Sequence, residues 1–244
     1  MAQKDWFESW FGSPYYRALY QERDELEAQE FAQTLLRYLQ PLPGSKMLDI
    51  ACGEGRLSRE LARSGHDVTG IDLSGTSIAL AKKSEAANLH FYVHDMRLPF
   101  YINYFDYAFN FFTSFGYFAH PRDHRMAARS FASALKPGGV LVLDYLNSIK
   151  VARELVAEQT IVRSGIEFQI SKRIEDGAIL KDIEFRDQEG KERRYTERVA
   201  AFELEDFARL FRKAGLQVVG TFGDYQLGAF DPAESPRLIL ILKK

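Results

Sequence analysis

Apolar residues are spaced along this chain in two rhythms, and the changes between them mark its parts. From residue 24 to 40, Ala28, Phe31, Ala32, Leu35, Leu36 and Leu39 recur three or four apart, as one helix face requires, and Pro41, Pro43 and Gly44 close the run. Short apolar segments follow: Met47, Leu48 and Ile50, then residues 68–72, 89–93, 107–111 and 140–145, each of strand length. Helical spacing returns between them, at Leu57 and Leu61, and again from Ser74, a good N-cap, through Ile78, Ala79 and Ala81. Strand and helix in alternation predict an α/β fold, with a parallel sheet and helices on both faces.

The rhythm changes after residue 160. Ile166, Phe168 and Ile170 alternate with polar residues, as do Ile179, Ile183 and Phe185, while Asp176-Gly177 and Glu189-Gly190 supply turns. Three antiparallel strands are predicted over 166–174, 178–186 and 192–201, an insertion beside the main sheet. Leu204, Phe207, Leu210, Phe211 and Ala214 then mark an amphipathic helix closed by Gly215, and residues 216–222 and 238–242 read as the last two strands. At the other end, Trp6 with Trp10 and Phe7 with Phe11 fall four apart, so a short helix there shows two aromatic ridges. The chain thus divides into a helical, aromatic cap (1–43), an α/β core (44–160), a β insertion that could be a lid or the surface of a homodimer (161–201), and a closing helix and strand pair (202–244).

Composition narrows the function classes. The chain has 244 residues, 46% hydrophobic and 27% charged, enough for a full core and ordinary for a soluble protein. No apolar run reaches membrane-span length, and the N-terminus lacks the apolar centre of a signal peptide, so a cytoplasmic location with no membrane partner is expected. A net charge of -2 supplies no footprint for nucleic acid. Cys52 is the single cysteine, which excludes an intrachain disulfide and a cysteine-cluster metal site.

The stretch Asp49-Ile50-Ala51-Cys52-Gly53-Glu54-Gly55 carries the candidate chemistry. It joins a predicted strand to a predicted helix, its glycines permit positive φ and close approach of a ligand, and the helix that follows offers unpaired N–H groups. A dinucleotide fingerprint requires a third glycine or alanine where Ser58 stands, so an NAD(P)-dependent oxidoreductase is the weaker reading of this turn. The order Asp49, Gly53, Gly55, followed by Asp72 at the end of the next strand, by His94-Asp95-Met96, by Phe105-Asp106-Tyr107 and by Leu135-Lys136-Pro137-Gly138-Gly139, resembles the class I S-adenosylmethionine-dependent methyltransferases. The antiparallel insertion is loosely similar to that of small-molecule N-methyltransferases.

The resemblance implies a Rossmann-like seven-stranded sheet whose last strand is antiparallel and inserted next to the fifth. It implies S-adenosylmethionine as cofactor, with Ala51, Gly53 and Gly55 against its methionine and ribose, Asp49 facing its ammonium, and Asp72 accepting from the ribose hydroxyls. Asp95 and Met96 would bind the adenine edge, Leu73 its face, and Asn110 and Phe111 would line the methyl-transfer side. Tyr16 or Tyr20 would touch cofactor or substrate if the aromatic N-terminus is a flap. The acceptor is expected to be a small molecule with a nitrogen or oxygen nucleophile. Tyr117 and His120 are the candidates for contact with it, Tyr117 as wall or base. Metal is not expected, because Pro121 interrupts the His120–His124 pair and no third ligand follows. Arg193, Arg194 and Arg198 could meet an acidic substrate or form a solvated strand face. A non-catalytic module that binds the same cofactor is the remaining alternative, since methyl transfer needs no diagnostic side chain.

Overall fold

A computed structural model describes residues 6–20 and 25–244; residue 24, the expected start of the first long helix, and residues 1–5 of the cap lie outside them. In chain order the elements are α1 (Trp6–Phe11), α2 (Pro14–Tyr20), α3 (Glu25–Leu39), β1 (Lys46–Ile50), α4 (Arg56–Arg63), β2 (Asp67–Asp72), α5 (Gly75–Ala81), β3 (Leu89–Val93) and β4 (Phe105–Asn110). Then follow α6 (Pro121–Ala134), β5 (Leu135–Leu146), α7 (Ser148–Arg153), β6 (Glu158–Arg163), β7 (Ile166–Glu175), β8 (Ala178–Arg186), β9 (Glu192–Ala200), α8 (Leu204–Arg212), β10 (Gln217–Phe222) and β11 (Arg237–Lys243).

Seven strands form one sheet in the order β10-β11-β5-β4-β1-β2-β3. The pairs around β1, β2, β3, β4 and β5 are parallel, and β11 runs antiparallel between β5 and β10. Because β1 and β4 are buried on both faces, they read as near-continuous apolar runs. One face packs on α6 and α8 through Ala127, Phe131, Phe207 and Phe211. The other packs on α3, α4 and α5 through Phe31, Leu35, Leu61 and Ile78. The chain reverses direction across the sheet between β1 and β4, where open α/β sheets leave a crevice beyond the carboxyl ends of their strands.

Four antiparallel strands, β6-β7-β8-β9, form the second sheet, one more than expected. β6 begins at Glu158, ahead of the predicted boundary at 161; only Ile161 packs inward, and Val162 is exposed, so its alternation carries little signal. The fifth core strand also starts earlier than expected. Leu135 already pairs with Phe105, residues 136–139 bulge out, and pairing resumes at Tyr107 and Val140. Pro121 does not interrupt a helix: it is the first residue of α6, with His120 as N-cap at φ -109° and ψ 134°.

Candidate active site

The glycine turn is built by three constraints. Parallel pairing fixes the end of β1 between β2 and β4; Cys52 N–H donates to Ile71 O at 3.0 Å; and Gly55 N–H donates to Cys52 O at 3.0 Å. The turn closes only with left-handed backbone at Ala51 (φ 59°), Gly53 (φ 57°) and Gly55 (φ 76°). A side chain on Gly53 would meet nothing within 4 Å, which leaves that backbone open to the crevice. A Cβ on Gly55 would lie 2.5 Å from Phe91 Cζ, and one on Gly70 would lie 2.6 Å from Phe91 Cδ1. Phe91 of β3, fully buried, is therefore a pillar beneath the turn, and Gly55 makes room for it rather than for a ligand.

Three carboxylates stand at neighbouring strand ends in different states. Asp49 is buried and accepts a 2.5 Å hydrogen bond from Ser58 Oγ. Burial pushes its carboxyl up to about 6, a rise that the Ser58 donor partly offsets and the Asp72 charge reinforces. Asp72 spans the turn: Oδ2 accepts from Gly53 N–H at 2.9 Å and Oδ1 from Ser74 N–H at 2.7 Å. Its carboxyl also lies above the usual range, because burial outweighs those two donors. Asp95 is clasped by Arg97, with Nε at 2.9 Å and Nη2 at 2.7 Å from Oδ2, and it accepts Arg97 N–H at 2.9 Å in an Asx turn. Cys52 is half-buried beside Asp49 and Asp72, and desolvation first, then both charges, hold its thiol well above the ordinary range, which disfavours the thiolate.

These strand ends form one side of a cavity of about 860 Å³. The segment after β4 supplies a second wall through Phe111, Phe112, Ser114, Tyr117 and Phe118, and α1 and α2 form the roof through Phe7, Phe11, Tyr16, Arg17 and Tyr20. The roof is docked on the four-stranded sheet. Trp10 is fully buried there, its Nε1–H donates to Glu197 Oε1 at 2.6 Å, and Tyr20 Oη donates to both Glu197 oxygens at 2.9 Å. Lys181 Nζ donates to the same Tyr20 hydroxyl at 2.5 Å. The insertion thus holds the cap, and the cap covers the crevice.

A family model of the methyltransferase domain matches residues 20–221. The chain belongs to the class I S-adenosylmethionine-dependent methyltransferases. Protein YqeM of Bacillus subtilis (strain 168), which carries a provisional methyltransferase designation, is 27% identical over 209 residues, covering 82% of this chain and 84% of its own. Two solved structures share the fold. An S-adenosylmethionine-dependent methyltransferase from Clostridium acetobutylicum ATCC 824 superposes with a TM-score of 0.79 at 19% identity, covering 94% of this chain and 95% of its own. The sugar N-methyltransferase KedS8 from Streptoalloteichus sp ATCC 53650 gives 0.72 at 21% identity, covering 94% and 91%.

The methyltransferase brings most of the sequence candidates to its cavity: Tyr16, Tyr20, Asp49, Ala51, Gly53 and Asp72, then Leu73, Asp95, Met96, Phe111 and Tyr117. Gly55, Asn110 and His120 do not line it. Asn110 is fully buried, its Nδ2 donating to Ile50 O at 2.9 Å while Oδ1 has no partner among the described residues. His120 is exposed at the head of α6, so of the two acceptor candidates only Tyr117 faces the cavity. Asp144, also at a strand end, is turned to support: it binds Arg237 Nε at 2.8 Å and Phe112 N–H at 2.8 Å, while Arg237 Nη2 holds Thr113 Oγ1 at 2.9 Å. Those contacts hold Phe112 and Thr113 in left-handed backbone (φ 56° and 58°), which shapes the second wall. Arg193 pairs with Asp187, Arg194 with Glu184, and Arg198 donates to Phe118 O, so the three arginines are used within the chain.

The residues present suit the cofactor. Gly53 offers an open backbone face, Asp72 an acceptor at the end of β2, and the cavity falls in the range of about 300–1,000 Å³ that encloses small ligands.

Proposed function

We propose that this methyltransferase transfers a methyl group from S-adenosylmethionine to a nitrogen or oxygen atom of a small molecule held between the Phe111–Phe118 wall and the α1–α2 roof. The observation that carries this reading is the roof. Helices α1 and α2 close the crevice over its aromatic end, which suits a compact acceptor better than a polymer.

The cofactor supplies an activated methyl group on a sulfonium, so the chain has to bind, orient and exclude water. Gly53 and Ala51 would take the methionine and ribose, with Asp49 facing the ammonium. Asp72, an acceptor with two oxygens already braced by Gly53 and Ser74, would take the ribose hydroxyls. Leu73 and Met96 would hold the adenine ring, with Asp95 beside its amino group. Phe111 and Tyr117 would wall the nucleophile, and Phe7, Phe11 and Tyr16 would cover it. An aromatic chamber disfavours the charged form of an amine, leaving its lone pair available without a base. An amine acceptor therefore fits this chamber best, and the sugar N-methyltransferase with the same fold lends it support.

The test is incubation with methyl-labelled S-adenosylmethionine and a panel of amino sugars, amino acids and phenols, following label and S-adenosylhomocysteine together. Label in an amine supports the reading. Label that enters only phenols corrects the acceptor atom, and label that enters only protein or RNA overturns the small-molecule assignment.

A further inference from the structure

Arg97 touches three walls of the cavity at once. Its fork grips Asp95 at the end of β3 through Nε and Nη2, at 2.9 and 2.7 Å from Oδ2. Its Nη1 lies 3.8 Å from Asp123 Oδ2 on α6. Its guanidinium carbon stands 5.2 Å from the centroid of Phe118 in the acceptor wall and 5.8 Å from that of Phe7 in α1. Phe7 and Phe118 meet edge to face at 5.9 Å, and both line the cavity. The side chain is only 18% exposed, so these contacts are made largely out of water, where charge-assisted bonds and cation–aromatic contacts are strongest.

We propose that Arg97 is a positioning residue that couples occupancy of the adenine end of the cofactor site to the seating of the α1 roof over the acceptor chamber. The inference rests on the reading that adenine binds beside Asp95 and Met96. The bidentate grip of Asp95 fixes where the guanidinium stands, and that cation is the group against which both the Phe7 and the Phe118 ring lie. A donor bound to Asp95 fixes the carboxylate, the carboxylate fixes the fork, and the fork fixes the height of Phe7. Lysine at this position keeps the charge and loses both the fork and the flat face.

The chain carries its own reporter. Its two tryptophans, Trp6 and Trp10, both lie on α1, and the Trp6 ring is 5.7 Å from Phe7 and 5.5 Å from Tyr117. S-adenosylhomocysteine is titrated into the full chain while heat and tryptophan emission are recorded in parallel, for wild type, Arg97→Lys and Phe7→Leu. Wild type is expected to bind and to change emission. Both variants are expected still to bind by heat, with the emission change at saturating ligand cut at least about fivefold. Phe7→Leu leaves the Arg97–Asp95 pair intact, so it carries the test if Arg97→Lys does not fold. A full emission response in either variant overturns the coupling, as does wild-type binding with no emission change. Binding lost altogether in Arg97→Lys assigns Arg97 to the cofactor site itself and also overturns it. If wild type shows no binding heat, the adenine reading fails and the proposal goes with it.

Discussion

Gly53 and Gly55 both sit at positive φ, so a side chain strains either position, but their surroundings separate them. Gly55→Ala drives a methyl group into Phe91 and is expected to cost about 3 kcal/mol of stability, from overpacking and left-handed strain together. Phe91→Leu on that background should recover part of the loss in a thermal melt. Gly53→Ala meets open space and is expected to cost only about 1 kcal/mol, while weakening S-adenosylhomocysteine binding about tenfold or more in calorimetry. Asp49 gives a pH signature. Its carboxyl, raised to about 6 by burial, is neutral in acid and offers no charge to an ammonium. Affinity should therefore fall by up to about tenfold per pH unit below 6, and Asp49→Asn should flatten the profile. The shared placement of Asp49, Asp72 and Gly53 around one turn is legible in the sequence because the turn motif fixes the backbone that carries them. Ser58 and Arg97 were not legible as partners, because Ser58 returns to Asp49 only through the packing of α4, and Arg97 finds its rings only once α1 and α6 are in place.

At the scale of elements, Glu197 is one of the polar anchors that dock the cap on the insertion, beside Asp187, which accepts from Tyr15 Oη at 3.3 Å. The Glu197 carboxylate takes Trp10 and Tyr20 with a side chain 13% exposed, and Lys181 stands 3.8 Å away. Glu197→Gln removes the charge from these bonds and is expected to cost about 2 kcal/mol. The expected readout is faster hydrogen exchange in α1 and α2 with unchanged protection in β1 and β4; equal protection of the helices would show that apolar packing alone holds them. The aromatic spacing of Trp6, Phe7, Trp10 and Phe11 revealed that this helix must pack on something, and the identity of the surface came only from the fold. β6 leaves no signal in the sequence because one of its faces is exposed and the other gives the core a single isoleucine. The head of α6 differs from expectation because a proline that interrupts a helix interior is favoured at its first turn.

Across the whole molecule, Asp49 and His124 oppose each other in acid, and Asp72, whose carboxyl burial also raises, acts on the side of Asp49. Asp49 is raised from 3.8 to about 6, so roughly 3 kcal/mol of stability is present below pH 4 and lost as pH rises through 6. His124 is buried among Phe115, Phe118 and Phe202, and burial holds it down at about 4. Its contribution, also roughly 3 kcal/mol, is present above pH 6.5 and lost as pH falls towards 4. The two slopes nearly cancel between pH 4 and 6. Asp49→Asn should expose a loss of stability in acid, and His124→Phe a gain, in denaturant titrations across that window. The alternation of strand and helix made the sheet and its crevice legible at this scale, while the four-stranded sheet's place under the cap depended on long-range contacts such as Trp10 with Glu197. The most direct test of the cofactor site is calorimetric titration of S-adenosylhomocysteine into wild type and Asp72→Ala at pH 7.5, with NAD as control. Micromolar binding by wild type, no heat from NAD and a loss of more than about tenfold in the variant are predicted. Equal affinity in Asp72→Ala, or binding of NAD in place of the sulfur compound, would contradict it.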